Sequence, residues 1–110
     1  MDKKKIMEMP PAEIVDRGTI LMVKVQEGFP SGGMIAEFKR AMKGFDPHLV
    51  QELFEINAQM FHMEEIITQT KNYEDIGRLY MRLRRMSLER NKIKNKITEK
   101  YGGYKEHKRY

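Results

Sequence analysis

Apolar side chains recur along this chain at the three- and four-residue spacing of helices, in four stretches, the first three of them divided by proline and glycine. The first helix is predicted from about Pro11 to Glu27. A first turn tolerates Pro10 and Pro11 because its amides have no partner within the helix, and Gly28 followed by Pro30 ends it. Ile14, Leu21 and Val25 form its apolar stripe, with Val15 and Met22 alongside, while Glu13, Arg17 and Lys24 share another face and Gly18 is a local weakness. A turn from Phe29 to Gly33 leads to a short helix of about Met34 to Lys43, with Met34, Ile35, Phe38 and Met42 inward and Gly44 as its stop.

Asp46 and Pro47 make the start of a third helix running to about Thr70. Leu49, Leu53, Ile56, Met60, Met63 and Ile67 follow one another at alternating four- and three-residue steps, a heptad seam that Val50, Phe54 and Phe61 widen and that Asn57 and Glu64 interrupt. Asn72, with Asp75 three residues on, caps a fourth helix from about Tyr73 to Tyr101, stopped by Gly102 and Gly103. At 1.5 Å per residue it would be about 43 Å long. The expected fold is therefore all-α, an antiparallel bundle of three long helices and one short one in a single domain over residues 1–110, with tails at 1–9 and 102–110.

The fourth helix carries its own seam, Ile76, Leu79, Leu83, Met86, Ile93 and Ile97, broken by Arg90. A tight connection centred near Lys71 would set Arg90 beside Leu53 and Asn57, and Glu64 near Leu79. A guanidinium at that position needs a carboxylate, an open cavity or a ligand, because an unpaired buried charge costs several kcal/mol. Met81 and Leu88 lie seven residues apart on the face opposite the seam, among Arg85, Lys92 and Asn95. Either the first helix covers them or they form a self-association surface, which makes a homo-oligomer expected.

Composition narrows the chemistry. Zero cysteines exclude a disulfide scaffold, a thiolate zinc site and a cysteine nucleophile. No apolar run reaches the roughly 20 residues of a membrane span, and Met1 to Met9 has a basic start without an apolar stretch, so a cytoplasmic protein without membrane partners is expected. The formal charge of +5 hides an asymmetry: residues 1–70 hold 8 basic and 11 acidic side chains, residues 71–110 hold 13 and 5. The basic end suggests an anionic partner.

Three stretches, EIVDRGTILMVK (Glu13 to Lys24), LFEINAQMFHMEEII (Leu53 to Ile67) and ERNKIKNKIT (Glu89 to Thr98), resemble a family of small helical proteins of unknown function from bacteria and phages, often encoded near or fused to glycosyltransferases and sugar-nucleotide genes. The resemblance implies a shared polar set of Glu13, Asp16, Arg17, Thr19, Lys24, Asn57, Glu64, Glu65, Arg90, Lys94 and Tyr110. Ser87 and Leu88 depart from it, standing where the family favours Asn and Asp.

Three functions are compatible with these residues. The favoured one is a non-enzymatic binding protein in which Arg17, Lys24, Arg90 and Lys94 grip the phosphates of a nucleotide or nucleotide-sugar and Asn57 reads a neutral group, supported by Glu13, Asp16, Thr19, Glu64 and Glu65. Alternatively Arg78, Arg82, Arg85 and Lys92 form an outer stripe that, with Lys105, Lys108, Arg109 and the tyrosines Tyr101, Tyr104 and Tyr110, holds nucleic acid or serves assembly. The third is an enzyme like the all-α nucleotide pyrophosphohydrolases, with Glu13 and Asp16 three apart on one helix and Glu64 and Glu65 on another; Arg17, Lys24 and Arg90 would compete for those acids. No catalytic residue, cofactor or metal is assigned. His62 and Glu65 lack a second ligand at metal spacing, His48 and His107 belong to no nucleophile constellation, and Gly32 with Gly33 is a plain turn rather than a phosphate loop.

Overall fold

Helix-favouring periodicity becomes helix in all four predicted places. A computed structural model describes Ile6 and residues 8–103, and its elements are α1 (Pro11–Gln26), α2 (Met34–Met42), α3 (Pro47–Gln69) and α4 (Tyr73–Tyr101). No strand occurs among the described residues.

The ends obey local chemistry. Asp46 accepts from the His48 amide at 2.9 Å and opens α3, while Asn72 accepts from the amides of Glu74 and Asp75 at 2.9 and 3.3 Å and opens α4. α1 closes in a Schellman turn. The Phe29 amide donates to the Lys24 carbonyl and the Gly28 amide to that of Val25, with Gly28 at φ +91°, a conformation other residues rarely adopt.

α1 packs against all three other helices, and α2 rests on its far side. That central position explains why α1 is buried well beyond one stripe: Ala12, Ile14, Val15, Asp16, Gly18, Thr19 and Val23 are all inside, whereas Val25, expected in the stripe, is exposed. Gly18 faces α2 at close quarters. A Cβ there would lie 2.8 Å from the Met42 sulfur and 3.3 Å from the Phe38 Cβ, so the residue that weakens α1 locally is what lets α2 settle on it.

Leu53, Phe38, Met42 and Ile97 join the core around α1, and so does Ile6, which is helical and only 1% exposed. Within the segment expected as a flexible or semi-ordered tail, Ile6 thus adds its apolar side chain to the core. Of the other tail residues, Met1 to Lys5, Met7 and Tyr104 to Tyr110 lie outside the described residues.

α3 and α4 run antiparallel as neighbours. The Tyr101 hydroxyl accepts from the Asp46 amide at 2.7 Å, Lys100 meets Asp46 at 2.9 Å and Lys96 meets Glu52 at 3.8 Å. These pairs set a register about one turn beyond the one centred on Lys71. The cause is the link itself: Thr70 and Asn72 are extended (ψ 132° and 123°), and extended residues climb about 3.3 Å each against 1.5 Å in a helix, so α4 begins past the end of α3. Its first residue, Tyr73, is 90% exposed.

Candidate functional site

The shift in register decides which cation goes inside. Lys94 is 6% exposed, and its Nζ lies 2.9 Å from Glu13 Oε1 and 3.5 Å from Asp16 Oδ2, both on α1. Asp16, itself 7% exposed, takes a hydrogen bond from Asn57 Nδ2 on α3 at 3.1 Å, and the same nitrogen lies 3.0 Å from the Thr19 hydroxyl. The fully buried Thr19 hydroxyl is anchored on its own helix, 2.7 Å from the Val15 carbonyl. At the solvent edge Arg17 Nε reaches the other Glu13 oxygen at 3.4 Å.

Five side chains expected to act together, Glu13, Asp16, Thr19, Asn57 and Lys94, therefore do meet, with Arg17 at their rim, in one polar network tying α1 to α3 and α4. Its ionised members are two carboxylates, one ammonium and one guanidinium, so it is balanced internally. Contact with Lys94 holds the Glu13 carboxyl below the usual carboxylate range, against the opposing effect of partial burial.

Other expected members lie elsewhere. Glu64 and Glu65 are exposed on α3, so the carboxylate set of a pyrophosphohydrolase-like centre is not assembled, and among the described residues no group of three His, Asp or Glu side chains converges on a metal position. Lys24 is exposed beside a shallow recess of about 180 Å³ shared with Arg17, Leu21 and Phe38. Arg90 makes no ion pair among the described residues, and its half-buried side chain leaves a buried Nε without a hydrogen-bond partner. The role of paired interior cation falls to Lys94, four residues later, because α4 is offset by a turn.

On the outer face, Arg78, Arg82, Arg85 and Lys92 are exposed; Arg78 stands 3.9 and 3.7 Å from Glu74 and Asp75, and Lys92 is 3.1 Å from Glu89. The tail residues expected to extend this stripe, Tyr104, Lys105, Lys108, Arg109 and Tyr110, lie outside the described residues.

Sequence periodicity missed a second seam on α4, Ser87, Asn91, Lys94 and Thr98, whose polar side chains are all buried. The signal was present as four-, three- and four-residue steps, but in polar residue types that hydrophobic patterning passes over. Lys94, through Glu13 and Asp16, shows that α1 covers this seam. Toward the start of α4 the same stripe continues as Arg84 and Tyr80, and there α1 has ended: the chain leaves it where Glu27 meets His62 (3.4 Å) and Phe29 meets Phe61 (6.2 Å between rings). An open, largely apolar groove of about 430 Å³ follows, lined by Met60, Tyr80, Met81, Leu83, Arg84 and Ser87. Met81 is 51% exposed and Leu88 37%, so α1 covers neither. No helix among the described residues is long and apolar enough to cross a membrane.

Compared with known proteins, the chain matches no family model, no curated protein and no solved structure.

Proposed function

We propose that this protein is a non-enzymatic helical bundle, antiparallel with three long helices and one short, that works by self-association through the outer face of α4. The observation that carries the reading is the open groove beyond the end of α1 together with the exposed Tyr80, Met81 and Leu88 beside it. Large apolar side chains clustered at an unfilled groove on one helix face are the usual mark of a contact surface.

The phosphorylated-ligand reading ranks below it on electrostatic grounds. Anion binding needs cations with charge to spare, and a phosphate entering between the helices would have to displace Glu13 and Asp16 from Lys94. Lys24 and Arg90, the cations outside that network, leave it a weaker basis; a shared ancestry with the glycosyltransferase-associated family belongs to this reading.

Sedimentation equilibrium tests assembly directly. Wild type is expected to be a dimer or larger in the micromolar range, and Leu88→Glu is expected to shift it toward monomer while helical circular dichroism stays unchanged, since association would bury an unpaired carboxylate. A wild-type chain that remains monomeric at high micromolar concentration would sink the reading.

A further inference from the structure

The end of the bundle away from that groove holds a cavity of a different kind. α1 and α2 touch at Gly18, against Met42 and Phe38, and toward the start of α1 a space of about 540 Å³ opens between them. Its apolar lining includes Met9 and Ile14 from the α1 side and Ala41 and Phe45 from the α2 side; its polar members are Glu37 and Arg40. Both the size and the mix of apolar walls with few polar groups are those of small-molecule sites, which span about 300–1,000 Å³.

The polar pair says what the cavity takes. One Nη of the exposed Arg40 donates to Glu37 Oε1 at 2.6 Å, while the second carboxylate oxygen, Oε2, is buried without a hydrogen-bond partner. A buried carboxylate oxygen without a donor is costly, so its complement is an O–H or N–H brought by an occupant. A single water would answer Oε2 but leave the apolar lining without contacts. Charge narrows the class further. Glu37 and Arg40 neutralise each other, so a cationic head would be repelled by Arg40 and an anionic one by Glu37, whereas a neutral donor meets neither cost.

We infer that this cavity is a binding site for a small, neutral, apolar molecule carrying a hydroxyl or amide N–H, its body against Met9, Ile14, Ala41 and Phe45 and its donor on Glu37 Oε2. The site is separate from the proposed self-association: Phe45 meets Tyr101 edge-on at the close of α4, whereas the groove flanks Tyr80 and Met81 near its start.

Methyl NMR of labelled methionines reads the binding and its place, since Met9 lines this cavity, Met22 and Met42 a neighbouring recess, and Met60 and Met81 the groove beyond α1. Four probes share one ring and differ in the head: benzyl alcohol, toluene, benzylamine and benzoate. Benzyl alcohol is expected to shift the Met9 methyl and to bind about tenfold more tightly than toluene, with benzylamine and benzoate both weaker than the alcohol. Glu37→Leu, which keeps the bulk and removes the acceptor, is expected to bring benzyl alcohol to the level of toluene. Ala41→Phe, which fills the space, is expected to abolish binding of both with helical circular dichroism unchanged; should it lose helicity, the alcohol-to-toluene ratio in Glu37→Leu decides alone. A Met9 methyl unmoved by every probe at millimolar concentration overturns the site, and so do shifts confined to Met60 and Met81. Toluene binding wild type as tightly as benzyl alcohol, or either charged probe binding best, overturns the assigned ligand class.

Discussion

Among single residues, Lys94 and Arg90 invert the roles that heptad spacing gives them. Lys94 is held by two carboxylates, so Lys94→Met would strand the buried Asp16 and is expected to cost about 3–5 kcal/mol in denaturant unfolding, part of it recovered by adding Asp16→Asn. Arg90 has a buried Nε with no partner, and Arg90→Met, which keeps length and restores the apolar seam, is expected to leave stability unchanged or raise it. A thermal-shift panel of nucleotides and nucleotide-sugars is expected to leave wild type and Arg90→Met alike; stabilisation of wild type alone would restore the phosphate reading. Of the polar network, Asn57 was legible as a polar break in the α3 seam, whereas Asp16, Thr19 and Lys94 came only from the family resemblance, because hydrophobic patterning passes over polar residue types. Which cation enters was not legible, since it depends on where the α3–α4 link leaves the register, and two extended residues there move it by a turn.

Elements are tied at their ends more than their patterning suggests. Asp46 caps α3 through His48, donates its amide to the Tyr101 hydroxyl and pairs with Lys100, so one residue clasps the start of α3 to the end of α4, with Phe45 edge-on to Tyr101 at 4.8 Å. Lys100 holds the Asp46 carboxyl below its ordinary range, and Asp46 raises the Lys100 ammonium. A carboxyl pKa lowered by folding stabilises above its unfolded value and loses that contribution as pH falls through the folded one; a raised ammonium stabilises below its unfolded value and loses it as pH rises through the folded one. Stability is therefore expected to decline as pH falls below about 4 and again above about 10.5, and Asp46→Asn to blunt both declines, as read by the urea midpoint across pH. Asp46→Ala should lower the urea midpoint at neutral pH as well, through the lost cap. Helix existence, caps and the Gly28 stop could be read directly from the chain, because each is local. The burial of α1 on nearly every side could not: it arises from α2 folding back across Gly18, a contact between distant segments that periodicity does not encode.

Across the whole molecule, the basic surplus of residues 71–110 is partly spent within α4, where Glu74, Asp75 and Glu89 stand among the arginines and lysines. Oligonucleotide binding measured by anisotropy is accordingly expected to be weak and gone by about 0.15 M salt, because exposed, partly compensated charges are screened there. A salt-resistant complex that Arg85→Ala weakens would make the outer stripe a recognition surface instead. The early end of α1 has a further consequence. Where three helices pack, opening a backbone amide disturbs a core; where α3 and α4 continue as a pair, it only frays a hairpin, so hydrogen-exchange protection is expected to fall from the three-helix end toward the α3–α4 link. Under the proposed self-association, a second copy that gripped only the ordered tip would shift that local equilibrium by mass action, and concentration would then set how far this end of the molecule is folded.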